Sequence, residues 1–125
     1  MIKRYNIGIL VANIIDSFSN RVSKGAIAAA AALDANLFIF PMKYLDVDYD
    51  NTSLDMKFEY QYNILMDYAA KAKLDYLIVC TGTIAYISDD VRKKEVLDYL
   101  SGTPLLNVAS KIDEYDYLIY DNSAG

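Results

Sequence analysis

Four continuous apolar runs divide the chain, at residues 5–12, 36–40, 75–80 and 104–108, with a shorter fifth at 117–120. Their hydrophobicity does not alternate, so each predicts a strand covered on both faces, as in a parallel sheet. Helical periodicity fills the gaps between them. Residues 17–33 place Phe18, Val22, Ala26, Ala29 and Leu33 at helical spacing, and the run Ala28 to Ala32 favours a helix lying close to the sheet. Residues 56–73 put Phe58, Tyr62, Leu65, Met66, Ala69 and Ala72 on one face, with Lys57, Glu59, Asp67 and Lys71 largely on the other. A third helix is expected to start at Ser88 as N-cap, with Asp89 and Asp90 at the positive end of its dipole. Gly102 as C-cap and Pro104 would end it. The order β-α-β-α-β-α-β-β predicts an α/β fold, a three-layer αβα sandwich around a mostly parallel, doubly wound sheet. Strand 5–12 should lie at the core between 36–40 and 75–80, in the order 2-1-3-4, with the last segment at an edge.

Two stretches depart from a regular repeat. Residues 42–56 form a long acidic loop, and Asp46-Val47-Asp48-Tyr49-Asp50-Asn51 has a superficial likeness to a calcium loop. The required glycine and terminal glutamate are missing, so it reads as a surface loop. Residues 109–116 are short for a helical crossover, which leaves the direction of the last strand open.

Composition narrows the function classes. The 125 residues suit one domain, and 54% hydrophobic with 23% charged residues describes a globular chain. A net charge of -5 argues against direct nucleic-acid contact, which needs Lys and Arg to neutralise phosphates. The chain has one cysteine, Cys80, inside an apolar run, and no histidine to activate it. A lone buried thiol fits a reducing, cytoplasmic setting, and no signal peptide or membrane span is expected. Twelve tyrosines are too many to bury completely, so some are expected to rim a partner surface.

The candidate chemistry sits at strand ends. Asn13, Asp16, Ser17 and Phe18 would stand above the first strand, Pro41 to Tyr44 above the second, Thr81, Gly82 and Thr83 above the third, and Ala109 and Ser110 above the fourth. Polar groups beside an aromatic ring suit a small polar ligand such as a sugar. The ligand-binding candidates are therefore Asn13, Asp16, Ser17, Phe18, Thr81, Gly82, Thr83 and Ser110. The structural alternatives are that Asp16 or Ser17 caps the first helix and that Thr81-Gly82-Thr83 is a turn. The third strand ends in Cys80-Thr81-Gly82-Thr83 without the aspartate of a phosphoacceptor. The first loop holds too few hydroxyls for the usual flavin-phosphate cradle, and no glycine fingerprint or P-loop lysine is present. No catalytic set, metal site or cofactor is expected.

Several segments resemble one family. Ile7-Gly8-Ile9-Leu10-Val11 followed by Asn13, Asp16-Ser17-Phe18, Val22-Ser23 and Lys24-Gly25-Ala26 looks like the start of the sugar-sensor domain of LacI-type repressors. Tyr120-Asp121-Asn122-Ser123-Ala124-Gly125 resembles the segment where that family's first lobe hands over to its second. Phe58-Glu59-Tyr60-Gln61-Tyr62-Asn63 and Asp75 to Thr83 resemble the variant found ahead of bacterial diguanylate cyclases and histidine kinases. Where the family usually has an acidic-basic pair after its fourth strand, this chain has Ala109-Ser110. The resemblance implies one lobe of a periplasmic-binding-protein-like fold, a fragment of a longer regulator that senses a small-molecule effector without catalysis. It also implies a homodimer, with exposed residues around Met42 to Tyr49 and on helix 56–73 as the natural patch. The alternatives are a small flavodoxin-like enzyme or nucleotide-binding protein, or a dimerisation module without ligand.

Overall fold

In the computed structural model, which describes residues 4–12, 17–42, 64–85, 88–112 and 114–119, β1 (Asn6–Ala12) runs through the middle of the sheet. Ile9, Leu10, Val11 and Ala12 are wholly buried. After β1 come α1 (Ser17–Leu33), β2 (Asn36–Met42), α2 (Leu65–Lys71) and β3 (Tyr76–Val79). A single-turn helix α3 (Thr81–Ile84), then α4 (Asp90–Leu100), β4 (Leu105–Val108) and β5 (Tyr117–Leu118) complete the described elements.

The strands lie in the order β2-β1-β3-β4-β5, and every pairing is parallel. Ile9 stands between Ile39 and Ile78, and Leu10 between Phe40 and Val79. Alternate residues of β1 therefore feed two different cores. Ile9 and Val11 join Cys80 and Val108 beneath Val22 and Ala26 of α1. Leu10 and Ala12 join Met42, Leu77 and Val79 against Ala69 of α2 and Val96, Leu97 and Leu100 of α4. Helices on both faces make three layers. A Cβ at Gly8 would stand 2.7 Å from Leu74 Cδ1 and 3.1 Å from Phe40 Cε2, so the second core closes tightly over the strand.

This topology corrects one expectation about function. The all-parallel order with its switch point between β1 and β3 matches flavodoxin-like sheets. It fits them better than a binding-protein lobe. Such a sheet carries its site on one sheet's carboxyl edge, whereas an effector-sensing lobe supplies half of a site closed by a second lobe. The ligand-sensing lobe of a transcriptional or signalling regulator is therefore not supported by the strand order.

Four local expectations also change. The strip of α1 that meets the sheet is built from Ser19, Ser23 and Ala30, with Val22 and Ala26 half-buried. Ala29 is exposed and Leu33 is 74% exposed. Small residues four and seven apart let the helix settle nearer the sheet than bulky ones would. The N-cap of α4 is Asp89 rather than Ser88: the Asp89 carboxylate accepts the Arg92 N–H at 2.9 Å. Gly102 does not take a left-handed C-cap, because no glycine has a positive φ among the described residues and Ser101 caps α4 instead. Thr81-Gly82-Thr83, weighed above as a turn, lies in the helical turn α3.

The last strand is parallel to β4, although the link 109–116 contains no helix among its described residues. The short link suffices because β5 pairs only Tyr117 with Asn107 and Leu118 with Val108. Ile112 is buried in the second core, and the Tyr115 hydroxyl donates to Asp98, which also accepts Lys94 Nζ at 2.9 Å. Those two donors, Tyr115 first, hold the Asp98 carboxyl below its ordinary value. Residues 43–63, with the acidic loop and the first half of the 56–73 helix, lie outside the described residues, as does Tyr120 to Gly125.

α1 ends in a Schellman motif. Ala35 N–H donates to Ala30 O at 2.8 Å and Asp34 N–H to Ala31 O at 3.3 Å, with Asp34 left-handed at φ 54°. Glycine takes that conformation without the Cβ penalty of roughly 1–2 kcal/mol. The exposed Arg4–Asp34 ion pair, at 3.3 Å, offsets little of it. Asp34→Gly is expected to stabilise the fold by about 1 kcal/mol, read as a raised midpoint in urea unfolding with an unchanged slope; a lowered midpoint would refute it.

Candidate functional site

The crevice above β1 and β3 is fixed by the directions in which the chain leaves those strands. β1 feeds α1 on one face of the sheet, whereas β3 feeds α3 and then α4, which packs on the other. The two connections leave neighbouring strands toward opposite faces, the arrangement that places a crevice at a switch point of open α/β sheets.

The β1 side is held by a buried side chain. The Ser19 hydroxyl, wholly buried, donates to the carbonyl of Ala12, the last residue of β1. This bond ties the first turn of α1 to the strand and sets where the helix begins. No acidic residue lies in that first turn. Its backbone N–H groups, which have no partners within the helix, and its dipole favour a negative group beyond its end. Ser17 and Phe18 enter α1 through their backbone, while Asn13 and Asp16 lie outside the described residues.

On the β3 side the predicted residues are brought together, though they serve one another first. The Thr81 hydroxyl donates to Asn107 Oδ1 and lies 2.7 Å from Ser110 Oγ. Asn107 Nδ2 donates to Ser110 O at 2.8 Å and to Ser110 Oγ at 3.1 Å. Thr83 donates its hydroxyl to Cys80 O at 3.0 Å. Thr81 and Asn107 are wholly buried; Thr83 and Ser110 are half-buried and stand nearer the surface. The cluster locks the loop after β4 to the turn after β3. Thr81 and Ser110 therefore form the wall of the crevice, and Thr83 lies in the turn that rims it.

Gly82 has a different role from the one the sequence suggested. A Cβ there would collide with the Ala109 carbonyl, so the α3 backbone lies directly against the end of β4. Ala109 meets it in a left-handed conformation, φ 70°. Gly82 is a close-approach residue that shapes the crevice wall. Sequence reasoning missed Asn107. The available signal was a lone amide in the buried strand Leu105-Leu106-Asn107-Val108, where an unpaired polar group would be costly.

Cys80, at the foot of the crevice, is buried, and desolvation pushes its thiol up to about 12. A separate cleft of about 270 Å³ lies between the start of α4 and segment 111–114, lined by Asp90, Val91, Lys94, Lys111, Ile112 and Glu114. Its two carboxylates and two ammonium groups balance, so its lining carries no net charge. No group of three His, Cys, Asp or Glu able to hold a metal occurs among the described residues. None of the described helices is long and apolar enough to cross a membrane.

No family model, curated protein or solved structure matches this chain. The resemblance to LacI-type sensor domains thus rests on its own motifs.

Two results are expected from this geometry. Gly82→Ala should destabilise the protein by about 1–3 kcal/mol, because the obstacle is backbone that must move; an unchanged urea midpoint would show that the contact yields freely. Cys80 should resist a thiol reagent at pH 8 in the folded protein and react at the rate of a free thiol in urea. Rapid labelling of the folded chain would contradict its burial.

Proposed function

We propose that this chain is a flavodoxin-like nucleotide-binding domain, with its ligand across the carboxyl ends of β1 and β3 and a phosphate at the start of α1. One observation carries the reading: an all-parallel β2-β1-β3-β4-β5 sheet whose switch point lies between β1 and β3. Ligands of open α/β sheets bind at that point. The 17-residue α1, without an acid in its first turn, supports an anionic group there. The Thr81–Asn107–Ser110 cluster supports the opposite wall, pre-formed by its own hydrogen bonds. Thr83 and Ser110, being half-buried, are the hydroxyls nearest a bound ligand.

The reading is one of binding, with no chemical step assigned. A mononucleotide is preferred to a sugar because the described wall residues spend their donors on one another, while the start of α1 presents backbone N–H groups suited to a phosphate. The lone buried thiol supports a reducing, cytoplasmic location for such a domain.

Amide NMR during separate titrations with FMN, ADP and inorganic phosphate tests the proposal, alongside the absorbance of the purified protein above 400 nm, where flavin would show. FMN or ADP is expected to shift the amides of Ala12, Ser17 to Asn20 and Cys80 to Thr83 at micromolar to low millimolar concentration. Phosphate alone should move only the α1 group. Absence of any shift with all three ligands, or shifts confined to other residues, would overturn the reading.

A further inference from the structure

The direction of each hydrogen bond in the Thr81–Asn107–Ser110 cluster follows from a single group, the backbone carbonyl of Ser110. That oxygen can only accept, and the Asn107 amide lies 2.8 Å from it, so the amide must turn its nitrogen that way. The second N–H of the same nitrogen reaches Ser110 Oγ at 3.1 Å. Asn107 Oδ1 then faces Thr81, whose hydroxyl donates its one proton there. Ser110 Oγ lies 2.7 Å from Thr81 Oγ1. Thr81 has no second proton to give, so Ser110 is the donor in that contact. The other acceptor Ser110 can reach within the cluster, Asn107 Oδ1 at 3.4 Å, also lies inward. Thr83 spends its proton on Cys80 O at 3.0 Å.

Each polar proton that these four side chains carry is therefore used within the protein. Thr83 and Ser110 are half-buried, and what their hydroxyls have left for a ligand is lone pairs. Resting on the nucleotide-binding reading above, we propose that the β3–β4 wall selects a nucleobase that turns an amino group toward it, as adenine does, over one that turns a carbonyl. An amino N–H is accepted by Thr83 or Ser110 without disturbing a bond already made. A carbonyl needs a donor, and Ser110 could supply one only by rotating its proton outward. Its oxygen and that of the wholly buried Thr81 would then face each other with no proton between them. A buried polar contact left unsatisfied in this way is expensive.

The two sides of the site thus have opposite character. The start of α1 offers backbone N–H groups and no acid, which suits a phosphate. The side chains of the β3–β4 wall offer acceptors, which repel an anion and suit a donor. That polarity sets the direction of the ligand, with phosphate at α1 and base against Thr83 and Ser110. It also ranks the bases. The amino group of adenine carries two N–H donors, whereas the hydrogen-bonding edge of a flavin carries one N–H between two carbonyls. The wall should therefore accept adenine more readily than flavin.

Calorimetric titration with AMP, purine riboside monophosphate and IMP decides the matter, because the three differ only in an amino group, a hydrogen or a carbonyl at one ring position and its adjacent nitrogen. AMP is expected to bind tightest and IMP about tenfold or more weaker, a difference of about 1.4 kcal/mol, with purine riboside monophosphate between them. Thr83→Val and Ser110→Ala, checked for native circular dichroism, should lower the affinity for AMP toward that for purine riboside monophosphate. Neither should change the binding of purine riboside monophosphate or inorganic phosphate. Such a selective loss in either variant supports the assignment. A loss shared equally by every ligand in both variants marks a merely structural wall and overturns it. Equal affinities for the three nucleotides, or tighter binding of IMP, would overturn the selectivity and leave the nucleotide-binding reading standing. No binding of any nucleotide or of phosphate would overturn both.

Discussion

The structure depends on the burial of β1 on both faces. Ile9, Leu10, Val11 and Ala12 have no solvent access, and consecutive residues of a strand point to opposite sides. One short segment therefore needs two separate covers, α1 on one side and α2 with α4 on the other. Each large aliphatic side chain buried this way contributes about 1.5–3 kcal/mol. The strand must also satisfy its backbone through neighbours, which β2 and β3 supply in parallel register. Parallel neighbours require crossovers, and crossovers place the helices. The layer order follows from that single requirement.

The same constraint creates the crevice. The chain leaves β1 toward one face and β3 toward the other, which is what makes their carboxyl ends a switch point. The edges of that space are then fixed by local chemistry. Ser19 anchors the start of α1 to the end of β1. Gly82 lets the α3 backbone rest against Ala109, and Asn107 fills its hydrogen bonds with Thr81 and Ser110. Polar groups inside a packed edge stabilise it only when paired, since an orphaned one costs roughly 1–3 kcal/mol. Pairing here consumes hydroxyls that sequence alone had assigned to a ligand. A wall pre-formed by its own hydrogen bonds is the result.

Cover on the α1 side is less complete than on the other. Among the described residues two helices spread over the second core and α1 alone covers the first, its small inward residues bringing it close over β1 and β2. Ser19, Ser23 and Ala30 face inward, so the approach of α1 to the sheet is set by small side chains.

Sequence by itself determined the strands and their alternation with helices, because the apolar runs are long and uninterrupted. Their burial on both faces holds for the central β1 but not for the edge strands, where Phe38 of β2 and both residues of β5 are exposed because an edge strand has a neighbour on one side alone. The order 2-1-3-4 with the last segment at an edge was legible for the same reason: short right-handed connections leave few ways to stack parallel strands. α1 was placed from Ser17 to Leu33 by its periodicity and its alanines. Its buried side was not, because alanine and serine pack on either face, and only contact with the sheet chose Ser19, Ser23 and Ala30 over Ala29 and Leu33. The direction of β5, the pairing of Asn107 with Thr81 and Ser110, and the contact of Gly82 with Ala109 all join residues distant in sequence. No local pattern encodes such contacts. They are decided when the strand ends come together in three dimensions, where unpaired polar groups and backbone collisions are resolved against one another.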